Sequence, residues 1–253
     1  MSSLRFIVCG MEHTGTTLIS DLFRQLPNID SGFECGVLLK DTPSEFSTMK
    51  PFAPNMLKGW GITQDELDTC CKASSFEEFY ARLMSVSRSL SEGTTAIFDK
   101  TPRYLSDLTN VLRRSAVPVV VSYKDPRAMV CSDFKRAKVE DFDVWYDAYM
   151  PAKLGYFTAC YKQYASHKTD DRVVTVGLEE LAMNSRTTME RMFAHVGEEF
   201  QLGYAIIKEL RYVNTKNRTV SADIAFEYGR ILSSANCARI EKDFALGADW
   251  FYE

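Results

Sequence analysis

Residues 5–23 read RFIVCGMEHTGTTLISDLF, and the fold is decided there. Residues 6–9 are a short apolar run of the kind that forms a buried strand. Residues 10–15 follow as a tight loop bounded by two glycines. From Thr16 the apolar residues take helical spacing, with Leu18, Ile19, Leu22, Phe23 and Leu26 on one side. Strand, glycine-bounded loop and helix in that order make an anion cradle. The loop amides and the helix N-terminus converge on one point, and the helix dipole favours negative charge there.

Gly10 and Gly15 have the G-x-x-x-x-G spacing of a P-loop, but Thr16 stands where nucleoside triphosphatases carry Lys. That Lys normally reaches the β- and γ-phosphates beside Mg²⁺. Its absence implies a phosphate-bearing ligand held without the usual triphosphate machinery.

Working outward, strand-like and helix-like stretches alternate. Strands are expected at 94–98, ending before Asp99, at 117–123 and at 172–176. VPVVVSY, at 117–123, shows no polar alternation and so reads as buried on both faces. Helices are expected at 76–90, 103–114, 126–139, 185–196, 201–210 and 222–244. A further helix over 143–163 is expected to break or kink near Pro151. Residues 31–62 lack periodicity, yet Phe46, Met49, Phe52, Met56, Leu57 and Trp60 argue for an ordered cover. The Met and Phe content of 35–75 suggests an adaptable apolar wall for an acceptor. The pattern predicts one α/β domain over 1–253, a three-layer P-loop-like fold. Its central parallel sheet is flanked by helices and its C-terminal part is helical. Ligands of such sheets bind at the carboxyl ends of the strands. That rule gathers residues 10–17, Glu34, 99–103 and 124–132.

Composition narrows the classes. The chain has 253 residues, 45 % of them apolar, enough for a substantial core. A net charge of −4 argues against broad nucleic-acid binding. Seven cysteines are an odd number and too sparse for a disulfide scaffold. Cys70 and Cys71 are adjacent with no C-x-x-C nearby, and there are three histidines, so no zinc or other metal is expected. A strand is entered by about residue 5, which leaves no room for a signal peptide. No apolar run approaches the ~20 residues a membrane span needs. A soluble, cytoplasmic protein is expected.

Two segments after strands carry further chemistry. Residues 124–136 read KDPRAMVCSDFKR. Lys124 leaves the strand end and Ser132 lies in the following helix, so a cation and a hydroxyl can clasp a second phosphate. Residues 99–105 read DKTPRYL, and residues 177–197 read GLEELAMNSRTTMERMFAHVG.

Taken in order, these four segments resemble the sulfotransferases that use 3′-phosphoadenosine 5′-phosphosulfate (PAPS), and most closely the bacterial and carbohydrate members. The first segment resembles the family's 5′-phosphosulfate signature. The K-D-P-R-x(4)-S segment resembles its 3′-phosphate signature. DKTPRYL resembles a [DE]-K-[ST]-P-x-Y segment, and GLEEL resembles Y-E-D-L. The resemblance implies that His13, Thr14, Gly15, Thr16 and Thr17 hold the 5′-phosphosulfate, and that Lys124 and Ser132 hold the 3′-phosphate. It implies that Glu34 is the general base and that Lys100 sits near the sulfuryl group. It makes Lys216 and Arg218 candidates for closing over the 3′-phosphate. The co-substrate would be PAPS, with PAP as product and no metal. The acceptor would be a small molecule, carbohydrate or lipid bearing a hydroxyl or amine.

Two residues depart from the family pattern. His13 stands where Lys or Arg is usual, and Lys124 replaces the commoner Arg and loses its bidentate fork. Two other readings stay open at this point. In one, 96–99 (AIFD) is a Walker-B-like strand whose Asp99 holds Mg²⁺ in a nucleotide kinase. In the other, the chain is a catalytically impaired relative that binds PAPS or PAP. Arg127 is expected to pair with acidic helix residues, and Lys135, Arg136 and Lys138 to form a solvated helix face. Arg103 is a candidate contact to acceptor or nucleotide. Trp60, Trp145 and Trp250 read as core aromatics before purine or sugar platforms.

Overall fold

The computed structural model describes residues 3–208 and 219–251. Five strands form one parallel sheet: β1 (Leu4–Gly10), β2 (Ile29–Asp30), β3 (Ala96–Lys100), β4 (Val119–Tyr123) and β5 (Val173–Gly177). Their order is β2-β3-β1-β4-β5, with every pairing parallel. Alternation along β1 builds the three layers, because successive side chains of a strand point to opposite faces. Phe6 and Val8 join the apolar cluster on one face. Ile7 and Cys9 join the larger cluster on the other.

The helices are α1 (Thr16–Phe23), α2 (Phe52–Gly59), α3 (Gln64–Cys71), α4 (Phe76–Val86), α5 (Leu108–Arg114), α6 (Pro126–Ala137), α7 (Phe142–His167), α8 (Leu178–Met183) and α9 (Ser185–His195). The C-terminal part holds α10 (Ala222–Ala225), α11 (Tyr228–Ile231), α12 (Ser234–Asp243) and α13 (Ala248–Phe251). Ile19, Leu22 and Phe23 of α1 pack with Met189, Met192 and Phe193 of α9 on one face. Residues of α4, α5, α7 and α12 cover the other. This is the flanked parallel sheet that the sequence predicts.

Some boundaries differ, each for a local reason. The helix over 143–163 does not break at Pro151; α7 runs through it. Pro151 lies on the exposed side, and burial of Tyr146, Met150 and Phe157 holds the helix across the missing amide bond. The helix over 222–244 is instead three short ones. Leu232 is extended, and the Ser233 side chain then caps α12 by accepting the Asn236 amide. Residues 202–205 form a single 3₁₀ turn where a longer helix was expected. Within the cover at 31–62, Phe46, Met56 and Trp60 are fully buried. These three support the core. Trp60 donates to the Phe33 carbonyl at 2.5 Å, Trp145 stacks on Tyr149 and Trp250 on Tyr164.

Gly10 closes β1 against β4. A Cβ there would lie 2.4 Å from the Ser122 carbonyl oxygen and 2.9 Å from the Thr14 hydroxyl. Gly10→Ala is therefore expected to destabilise the protein by about 2–3 kcal/mol, the range of a forced core clash. Urea unfolding at equilibrium measures it, and an unchanged midpoint would contradict the tight seam.

Candidate active site

The loop after β1 is latched to the end of β4. The Thr14 hydroxyl donates to the Met11 carbonyl at 2.7 Å and lies 3.2 Å from the Ser122 carbonyl. The Ser122 hydroxyl donates back to the Thr14 carbonyl at 2.5 Å. Gly15 follows in the left-handed region (φ 95°) as the N-cap of α1, without a side-chain cap. Helix geometry leaves the first amides of α1 without an intrahelical partner, directed past the end of the helix.

These amides face a cleft of about 290 Å³. Gly15, Thr16 and Thr17 form one side of it, and Lys124 and Ser132 form another. His13, Glu12 and Glu34 line it as well, and residues 219–221 with Ile224 close over it. The two strand-to-helix junctions singled out in the sequence thus share one cleft. Thr14 is not part of its lining, because its hydroxyl is spent on the latch.

Lys124 is the electrostatic anomaly. It is 6 % exposed and makes no hydrogen bond or ion pair among the described residues. Burial pushes its ammonium pKa down, while the more distant carboxylates of Glu179, Asp133 and Glu227 act the other way. Burial also raises the Glu179 carboxyl, to about 7. A buried cation normally has a partner. One that opens on a cleft facing a helix N-terminus is built for an anion.

Lys100, 2 % exposed, pairs with Glu34 at 2.9 Å and lies 4.7 Å from the centre of the Phe33 ring. His13 has left-handed backbone (φ 71°), and its Nδ1 is 2.5 Å from Asp133 Oδ1. Asp99 turns away from the cleft. It is fully buried and accepts from the hydroxyls of Tyr80 and Tyr104 at 2.6 Å each and of Thr101 at 2.8 Å. Burial raises its pKa and those bonds oppose the rise. With both oxygens taken inside the core, Asp99 cannot serve the cleft as a Walker-B carboxylate.

Arg127 grips Asp125 and reaches Glu241 on α12 at 2.5 Å, and Lys135 holds Glu227 at 2.6 Å. Both are straps between α6 and the C-terminal helices. Arg103 approaches Glu12 at 3.8 Å and the Tyr156 ring at 5.3 Å. Arg136 lines the cleft instead of being only a solvated residue. Lys216 and Arg218 lie outside the described residues. Leu178 lines the cleft unannounced, although its place just after β5 is where the strand-end rule points. Nothing in the pattern of 219–224 signals a cleft wall.

An anion cradle and a buried lysine at the carboxyl edge of a parallel sheet mark a P-loop-like α/β protein. The sulfotransferase family profile matches residues 5–201, and the chain belongs to that family. Solved structures of similar fold include the sulfotransferase domain of the Synechococcus PCC 7002 olefin synthase. The two are 17 % identical with a TM-score of 0.65, over 95 % of this chain and 93 % of that one. The sulfotransferase domain from the curacin biosynthetic pathway gives 12 % and 0.62, over 97 % and 98 %. Mouse sulfotransferase SULT7A1 complexed with PAP gives 10 % and 0.51, over 97 % and 84 %. No curated protein sequence matches significantly.

Replacing Lys124 by Met removes a buried charge that has no ion-pair partner among the described residues. Lys124→Met is expected to raise the melting temperature of the ligand-free protein by about 2 °C or more, and to abolish stabilisation by bisphosphorylated adenosine. Differential scanning fluorimetry reads both. A lower melting temperature without ligand would mean that the ammonium is already satisfied.

Proposed function

We propose that the protein transfers a sulfuryl group from PAPS to a hydroxyl or amine of a small-molecule, carbohydrate or lipid acceptor. The observation that carries this reading is the buried Lys124, which has no hydrogen bond or ion pair among the described residues and lines one cleft with Ser132 and the N-terminal residues of α1. Two anion positions in one cleft suit a nucleotide phosphorylated at both ends. The PAP complex of the similar mouse enzyme supports the same donor. Gly15, Thr16 and Thr17 would take the 5′-phosphosulfate through amides and hydroxyls, with Thr14 supporting the loop. Lys124 and Ser132 would take the 3′-phosphate. Cations and helix amides supply the neutralising charge in this reading, and no metal is invoked.

The chemistry is in-line transfer. The sulfur–oxygen bond to the 5′-phosphate breaks as the acceptor oxygen or nitrogen bonds to sulfur. Glu34 takes the acceptor proton. Lys100, already on Glu34, stabilises the sulfuryl oxygens, and His13 stabilises the bridging oxygen that leaves with the phosphate. No described helix is long and apolar enough to cross a membrane. Seven unpaired cysteines suit a reducing compartment, and we place the activity in the cytoplasm.

Adenosine 3′,5′-bisphosphate is expected to stabilise the protein in EDTA by about 2.7 kcal/mol at a hundred times its dissociation constant. Stabilisation only by ATP or GTP with Mg²⁺ would instead identify a kinase. Glu34→Gln is expected to lower sulfuryl transfer by about 10²–10⁴-fold while bisphosphate affinity stays nearly constant. Full activity in that variant would remove Glu34 from the role of base.

A further inference from the structure

Asp133 lies one residue beyond Ser132 on α6, yet it is not part of the cleft lining. Its side chain is 10 % exposed and accepts three hydrogen bonds. His13 Nδ1 is at 2.5 Å from Oδ1, and Oδ2 takes the Tyr149 hydroxyl at 2.6 Å and the Lys153 ammonium at 2.8 Å. Tyr149 and Lys153 belong to α7, and Tyr149 is itself stacked on Trp145 with ring centres 4.4 Å apart. Burial works against the charge on Asp133, but the bonds from His13, Lys153 and Tyr149 outweigh it and hold the carboxyl well below the usual range.

An ionised carboxylate has no hydrogen to give, so the hydrogen between the two groups sits on Nδ1. Nε2 is then the ring nitrogen left for the cleft that His13 lines. The backbone of His13 is left-handed, a region that residues with a Cβ enter rarely, and the tether helps keep it there. With an anion in the cleft, both ring nitrogens have an acceptor, and the imidazolium form satisfies both.

We propose that Asp133 is a positioning residue that fixes the His13 ring, with Nδ1–H on its own carboxylate and Nε2 toward the 5′ end of the nucleotide cleft. The proposal rests on the nucleotide reading above and goes beyond it in one respect. The same turn of α6 then serves both ends of the ligand, Ser132 directly at the 3′-phosphate and Asp133 through His13 at the 5′ end. A histidine so held takes the place of a flexible lysine, and α7 anchors it from behind.

Two nucleotides separate this role from plain support of α6. Calorimetric titration with adenosine 3′,5′-bisphosphate and with 3′-AMP, which lacks the 5′-phosphate, is made on the wild type, Asp133→Asn, His13→Ala and the double variant. Asp133→Asn is expected to weaken the bisphosphate about tenfold, the scale of a lost charge-assisted contact, and 3′-AMP less than about twofold. The double variant is expected to lose no more than His13→Ala alone. Equal weakening of both nucleotides, or losses that multiply, would overturn the proposal. Nitrogen-15 spectra of histidine-labelled protein provide a second reading without nucleotide. The chain has three histidines, and His13→Ala assigns the signal. The wild type is expected to show hydrogen on His13 Nδ1, and Asp133→Ala to move it to Nε2. An unchanged tautomer in Asp133→Ala would overturn the proposal. Failure of the wild type to bind either nucleotide would contradict the donor assignment, and the spectra would still decide the tether.

Discussion

The seam between β1 and β4 sets the geometry on which the site depends. Gly10 pairs with Ser122 in register, so the loop after β1 and the loop after β4 leave the sheet side by side. The reciprocal bonds between Thr14 and Ser122 fix the loop after β1 to that edge. Any side chain at Gly10 would push the two strand ends apart. The distance between the N-terminus of α1 and the Lys124 ammonium is therefore a property of the sheet and not of flexible loops.

Electrostatics divides the cleft into regions of different character. The overall charge is negative, so the positive character of the cleft is local. At one end the helix dipole and unpartnered amides of α1 supply partial positive charge with no side chain at all. At the other, the buried Lys124 lines the cleft together with Ser132. Two side chains that line the cleft are held from behind, Glu34 by Lys100 and His13 by Asp133. The Lys100 ammonium, 2 % exposed, thereby avoids the cost of standing alone in a buried place. Asp99 shows the opposite use of a carboxylate. It anchors β3 to Tyr80 and Tyr104 in the core, while its buried neighbour Lys100 reaches Glu34 on the cleft wall.

Much of this was legible in the sequence because the signals are local. The strand–loop–helix at residues 5–23 carries its own periodicity and its own glycines. The apolar run at 117–123 has no other reading than a buried strand. Lys124 and Ser132 follow that strand at a spacing that a helix start fixes. The illegible parts depend on distant partners. Nothing near Asp133 announces that His13 will bond to it, since 120 positions separate them. Residues 219–224 join the cleft through packing that no pattern encodes. α3 was missed although Thr63 and Glu66 form a capping box, a signal that was present in the sequence. Pro151 misled because a proline's local effect lost to the burial of its neighbours.

The central claim is that one cleft grips both ends of a doubly phosphorylated adenosine. A crystal structure with adenosine 3′,5′-bisphosphate tests it most directly. The account predicts one phosphate within hydrogen-bond distance of Lys124 and Ser132, and the other on the amides at the start of α1. A nucleotide bound elsewhere, or one held at a single end while Lys124 stays unpaired, would contradict it.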